Sequence, residues 1–98
     1  MKPEQFLDVN LLEPPEPMER ILSAIDTLTQ GCYLRIWIHR EPFPLYDILK
    51  LEGFSHAIRP GQRSLFELFI WHSHDKTARG LVQDVMQSDE ENSLHCHE

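Results

Sequence analysis

Charged and imidazole side chains cluster in two loops that follow predicted strands. Glu13 and Glu16 stand in the first loop, which is rich in proline, and His39, Arg40 and Glu41 follow the second strand. Ligands of open α/β sheets bind beyond the carboxyl ends of the strands, so we expect these side chains to share one edge. Carboxylates and an imidazole there could bind a cation or a partner's basic residue. The alternative is that the acids are helix-start residues stabilised by the helix dipole, with Arg40 paired to one of them.

Imidazole and thiol groups gather at the end of the last predicted strand and at the end of the chain. They are His72, His74, His95, Cys96 and His97. Such groups suit a divalent transition metal, namely zinc, copper or nickel. Residues two apart on a strand face the same side, so His72 and His74 could bind one ion. Their spacing departs from the ligand pairs of structural zinc sites, and the alternative is a solvated strand end with adventitious metal affinity.

Aromatic residues alternate along the second and fourth predicted strands. They are Tyr33 and Trp37 on one strand and Phe69 and Trp71 on the other. If the strands are neighbours, these aromatics share the uncovered face of the sheet, and exposed aromatic patches commonly mark interfaces. A homodimer through this face is one expectation. The alternative is cover by the C-terminal segment, through Leu81, Val82, Val85 and Met86.

The length and the net charge limit the classes of protein to which this chain could belong. Ninety-eight residues suit one domain, and 41% apolar residues suffice for one core. The net charge of −7 argues against nucleic acid and anionic membranes, because both require clustered positive charge. No apolar run approaches the ~20 residues that span a bilayer, and residues 1–5 lack the apolar core of a signal peptide. We therefore expect a cytoplasmic protein with reduced thiols, in which Cys32 is a small apolar strand residue or, alternatively, a relocated redox thiol.

Periodicity predicts the elements that position these residues. The predicted strands are 6–11, Cys32–Ile38, Phe54–Arg59 and Ser64–Trp71, and the predicted helices are Pro17–Leu28, closed by Gly31, and 45–49, closed by Gly53. The nearly continuous apolar run of the fourth strand favours a central position. The order βαβαββ predicts an α/β fold, an α+β two-layer sandwich whose four-stranded mixed sheet is covered by two helices on one face. Residues 1–74 would form this domain, and residues 75–98 a polar, acidic tail of low order.

Two proline motifs carry a family resemblance. The segments Glu13-Pro14-Pro15-Glu16-Pro17-Met18 and Arg40-Glu41-Pro42-Phe43-Pro44-Leu45 resemble an uncharacterised bacterial branch of the TusA/SirA-like small sulfur-carrier superfamily, over about residues 6–72. The carriers hold a persulfide on a Cys-Pro-x-Pro cysteine, where a helix N-terminus lowers the pKa of the thiol. Here Pro14 stands at that position. The resemblance implies the carrier scaffold without its nucleophile, and a last strand inserted between the second and third.

Two classes of function follow. The first is a small non-catalytic binding module that recognises a protein partner or a small polar ligand at the edge formed by Glu13, Glu16, His39, Arg40 and Glu41. The second is a transition-metal-binding or redox accessory protein that uses the histidines and Cys96. The sequence has no evident nucleophile–base pair and no phosphate loop, which disfavours an enzyme.

Overall fold

A four-stranded mixed sheet organises the molecule. The computed structural model describes residues 3–96 and, within them, the side chains of residues 3–88. The elements are β1 (Glu4–Asp8), α1 (Glu16–Asp26), β2 (Tyr33–Ile38), α2 (Phe43–Glu52), β3 (Phe54–Pro60), β4 (Phe66–His72) and α3 (Lys76–Cys96). The strand order is β1-β2-β4-β3, with β1 parallel to β2 and β4 antiparallel to both of its neighbours. The predicted mixed sheet and the central position of the last strand are confirmed.

The first sheet face carries the larger core, beneath α1 and α2. Leu34 and Ile36 of β2 and Leu68 and Ile70 of β4 are at most 1% exposed. The helices contribute Ile21, Ile25, Leu45 and Leu49 to the same cluster. Alternate residues of a strand face the same side, so the period-two pattern of β2 places its aliphatic residues here. The predicted arrangement of two helices on one sheet face is therefore confirmed.

The ends of the first elements differ from the predicted ones for local reasons. β1 ends at Asp8, whose Oδ1 accepts a hydrogen bond from the Asn10 N–H at 3.0 Å and starts a turn. α1 ends before Gly31, because Thr27 caps it and its hydroxyl donates to a carbonyl of the last turn at 3.1 Å. Gly31 keeps its left-handed conformation in the following loop, at φ 85°. Gly53, at φ 84°, closes α2 as predicted.

The C-terminal segment forms a helix over Lys76–Cys96, which corrects the expectation of a low-order tail for these residues, whereas residues 97–98 lie outside the described part. Ala78, Leu81, Val82, Val85 and Met86 recur at helical spacing and form a cluster with Tyr33, Phe69 and Trp71 on the second sheet face. The apolar stripe buries enough surface to order a segment whose composition is otherwise polar. α3 therefore adds a third layer to the predicted sandwich. No helix within residues 3–96 is long and apolar enough to cross a bilayer.

Asp75 connects the start of α3 to the loop before β2. It is 5% exposed, and its Oδ1 accepts a hydrogen bond from the Ala78 N–H at 3.0 Å. Its other oxygen accepts a hydrogen bond from the Gly31 N–H. These backbone hydrogen bonds lower the pKa of the Asp75 carboxyl, because they stabilise its charged form. Asp75 is thus the N-cap of α3, and it also links the start of this helix to the loop before β2.

The predicted aromatic interface is mostly internal. Tyr33, Phe69 and Trp71 are 4%, 0% and 8% exposed, because α3 covers them. Trp37 lies further along the face, half-buried, with its ring 4.7 Å from that of Phe6 in an edge-to-face contact. The four aromatics therefore do not form one exposed surface for a second copy, and cover by the C-terminal segment accounts for three of them.

Next to these aromatics, the second sheet face contains a buried carboxylate that forms hydrogen bonds with two arginines. Glu67 is 5% exposed and accepts hydrogen bonds from Arg35, from Arg59 and, at 3.0 Å, from the Trp37 indole. The two guanidinium groups lie 5.6 and 5.2 Å from the centre of the Phe69 ring. Burial works to raise the pKa of the Glu67 carboxyl, but the hydrogen bonds from the two arginines outweigh it and hold that pKa below its usual value.

Candidate functional site

The first loop, between β1 and α1, and the second loop, between β2 and α2, meet at one edge of the sheet and enclose a pocket. Its volume is about 310 Å³. We call it the proline pocket, and its lining residues are Pro14, Pro15, Pro17, Met18, Ile21, Ile38, His39, Arg40, Pro42 and Pro44. The loops meet because β1 and β2 are parallel neighbours whose carboxyl ends share this edge.

The walls of the pocket are apolar and stiff. Proline has a fixed φ and no N–H, so the five prolines in the lining present hydrocarbon rings on a backbone with little freedom. The peptide bond between Pro14 and Pro15 is cis. Ile21 and Ile38, at 0% and 4% exposed, extend the wall into the core, and Met18 is half-buried. The pocket is therefore an extension of the first core that remains open to solvent.

Two helices begin at the pocket. The N-caps of α1 and α2 are Pro15 and Pro42, and neither helix start has a side-chain cap. The first turn of α1 carries Glu16 and Glu19, whereas the first turn of α2 carries no acid. At the start of α2, the N–H groups of Phe43 and Leu45 already donate to backbone carbonyls, and Pro44 has no N–H. The side of the pocket near α2 therefore differs from the α1 side in lacking acidic side chains.

The two polar side chains of the pocket lack partners. The Nδ1 atom of His39 is buried and has no hydrogen-bond partner among the described residues, as is also true of the Trp71 indole nitrogen under α3. A buried polar atom without a partner costs about 1–3 kcal/mol. Arg40 is exposed, and no described residue forms a hydrogen bond or ion pair with its guanidinium group. Two residues of the lining therefore carry an unsatisfied, buried imidazole nitrogen and an available guanidinium group.

The predicted carboxylates do not converge with His39. Glu13 and Glu16 are exposed and do not line the pocket. Glu41 accepts a hydrogen bond from the Tyr46 hydroxyl at 3.2 Å. Burial, followed by this hydrogen bond, raises the pKa of Tyr46 to about 12. The structure thus brings together His39 and Arg40 from the predicted set and leaves the acids outside. Glu16, in the first turn of α1, has the helix-start position of the alternative interpretation.

The predicted metal ligands are not assembled within the described side chains. The Nε2–H of His72 donates to the Leu28 carbonyl at 2.8 Å, which leaves only Nδ1 for an ion. His74 is exposed in the turn after β4, so the two histidines do not share a strand face. The side chains of His95 and Cys96, and all of His97, lie outside the described part. Within that part, no group of three His, Cys, Asp or Glu side chains could hold a metal ion.

Sequence reasoning missed the apolar members of the pocket. Periodicity places Met18, Ile21 and Ile38 within a predicted helix and a predicted strand, and it does not indicate that they line a pocket with the prolines of the two loops. The available signal was the pairing of two proline clusters after two parallel strands, since rigid loops with no N–H groups form apolar walls. Cys32 is 8% exposed and accepts a hydrogen bond from the Thr29 hydroxyl at 3.3 Å, away from the pocket lining.

Comparison with known protein families gives one match. Residues 6–72, which are 67 of the 98 residues, match a family described as "Uncharacterized conserved protein (DUF2249)". Comparisons with curated proteins and with solved structures give no match. The matched region runs from β1 to the end of β4 and contains both loops of the proline pocket, but not α3. Because this region is more than half of the chain, the protein belongs to the DUF2249 family of uncharacterized conserved proteins.

Proposed function

We propose that the protein is a non-catalytic binding module that holds a small ligand in the proline pocket. The observation that carries the proposal is a stiff, apolar pocket in which the buried His39 Nδ1 has no partner. Pockets for small molecules are mostly apolar, contain a few polar groups and have volumes of about 300–1,000 Å³. The proline pocket, at about 310 Å³, falls at the lower end of that range.

The ligand has an apolar body and one polar end. The body packs against the proline rings, Met18, Ile21 and Ile38, and the polar end forms the hydrogen bond that His39 lacks. Because the prolines restrict both loops before binding, little conformational entropy remains to be lost when the ligand enters. Binding also removes the cost of the buried, unpartnered nitrogen.

The hydrogen bonds among the described side chains favour a binding role over a catalytic one. None of them joins a hydroxyl or thiol to a histidine, the arrangement that would activate a nucleophile. We extend the proposal to the origin of the scaffold. The chain is a sulfur-carrier-like domain in which Pro14 has replaced the persulfide cysteine, so that the first loop serves as a wall of the pocket.

A fragment titration with a pocket-filling variant tests the proposal. Single-ring acids, amides and amines would be titrated into ¹⁵N-labelled full-length protein, and backbone amide shifts recorded. We expect at least one fragment to shift Met18, Ile21 and Ile38 in a saturable manner. Met18→Trp places an indole in the pocket and should abolish these shifts while the protein stays folded.

Met86→Trp is the matched control, because it is the same substitution at a half-buried methionine of α3, on the opposite sheet face. This variant should retain the fragment shifts at the pocket. The proposal is wrong if no fragment perturbs the pocket residues of the wild type, or if the folded Met18→Trp variant binds the same fragment as tightly as Met86→Trp does.

A further inference from the structure

We infer that the ligand of the proline pocket is a monocarboxylate with an apolar body, whose carboxylate pairs with Arg40. This inference rests on the proposed function and adds the charge of the ligand to it. Arg40 is the one charged residue among those that line the pocket. Its exposed guanidinium group has no hydrogen bond or ion pair with any described residue. A guanidinium presents two parallel N–H groups that match the two oxygens of a carboxylate.

None of the neighbouring acids that the structure describes forms an ion pair with Arg40. Glu41, the next residue, accepts a hydrogen bond from Tyr46. Glu13 and Glu16 are exposed and outside the lining of the pocket. The first turn of α2, which lies on the same side as Arg40, holds no acid. The guanidinium group of Arg40 is therefore available to an anionic ligand, although the whole chain carries a net charge of −7.

The same charges favour an anion with a single negative charge, such as a monocarboxylate, over a polyanion. A polyphosphate or a nucleic acid needs several clustered cations, whereas the pocket offers one guanidinium on a strongly acidic protein. The walls behind Arg40 are hydrocarbon from the prolines, Met18, Ile21 and Ile38. An apolar cavity of about 150 Å³ accepts benzene. A pocket of about 310 Å³ therefore has space for a ring with a short chain.

A matched pair of probes isolates the contribution of the charge. We would titrate 3-phenylpropanoate and its neutral amide, 3-phenylpropanamide, into full-length protein and follow the amide shifts of Met18, Ile21 and Ile38. The wild type should bind the acid at least about tenfold more tightly than the amide, as expected for a charge-assisted hydrogen bond. Arg40→Gln should remove this preference, so that the acid and the amide bind with equal affinity. Arg20→Gln, at an exposed arginine of α1 outside the pocket lining, should keep the preference.

The outcomes separate the two proposals. Equal affinity for acid and amide, or a preference for the acid that survives Arg40→Gln, overturns the inference and leaves the binding module intact. Failure of both probes and of the wider fragment set to shift pocket residues overturns the proposed function, and the inference with it. Binding of the acid with shifts outside the pocket, unaffected by Met18→Trp, also overturns the inference, because the carboxylate is then recognised elsewhere.

Discussion

Replacing Glu67 by glutamine tests whether the buried carboxylate stabilises the second sheet face. The substitution keeps the shape of the side chain and removes its charge. Glu67 accepts hydrogen bonds from the two cations Arg35 and Arg59. A hydrogen bond to a charged group contributes about 1.5–3 kcal/mol, and removing one partner of a buried pair costs about 3–5 kcal/mol.

Partial exposure reduces this cost. The side chains of Arg35 and Arg59 are 25% and 18% exposed, so water screens part of the interaction. Glutamine also keeps one oxygen that can accept from the Trp37 indole. We therefore expect Glu67→Gln to lower the free energy of unfolding by about 2–4 kcal/mol. In a domain of this size, that loss lowers Tm by roughly 10–25 °C.

The assay is urea and thermal denaturation at neutral pH and along a pH series. The folded-state pKa of Glu67 is lowered, so the stability it provides is present above the unfolded-state pKa and is lost as pH falls through the folded-state value. The difference between wild type and Glu67→Gln should therefore shrink below about pH 4. Glu52→Gln, at an exposed carboxylate at the end of α2, should change stability by less than about 0.5 kcal/mol. A Glu67→Gln variant as stable as this control, or a loss independent of pH, would refute the reasoning.

Three further outcomes are expected. Asp75→Ala removes the N-cap of α3 and should lower the free energy of unfolding by about 1–2 kcal/mol, measured by urea denaturation. The loss should become smaller in acid, because the folded-state pKa of Asp75 is lowered. An unchanged urea midpoint would contradict this prediction. Val82→Asp places a carboxylate at a 1% exposed site and should release α3, exposing Trp71 to iodide quenching, whereas Gln83→Asp on the exposed side should not. Incubation with a cysteine desulfurase and labelled cysteine should leave the first loop unlabelled, because Pro14 has no thiol; label there would be the contrary result.

Sequence patterns were sufficient for the sheet and its first two helices. The apolar run of β4 predicts a central strand because only a central strand buries both of its faces, and it is 0–8% exposed from Leu68 to Trp71. Glu67 interrupts that run. Its burial could not be predicted, because the two arginines that compensate it come from other strands and their approach depends on the register of the sheet.

The C-terminal helix and the site were harder to predict for a different reason. The apolar positions of α3 recur at helical spacing, but the polar composition around them predicts a tail of low order. The helix is explained only by its packing on Tyr33, Phe69 and Trp71, and this contact cannot be seen in the sequence. At the candidate site, the position after each strand predicted that the first and second loops meet at one edge, and residues of both loops do line one pocket. The predicted acids are not among its lining residues. Which side chains face the pocket depends on the backbone of two proline-rich loops, and spacing alone does not determine it.

The boundary of the family match has a consequence for the second sheet face. The shared region ends at residue 72, and α3 begins at Lys76, so the cover of Phe69 and Trp71 is encoded outside the shared region. A relative with the same sheet but no such helix would need a second chain, or a different appended segment, to shield this face. In this chain, residues 6–72 by themselves would leave Tyr33, Phe69 and Trp71 without the cover that α3 gives them.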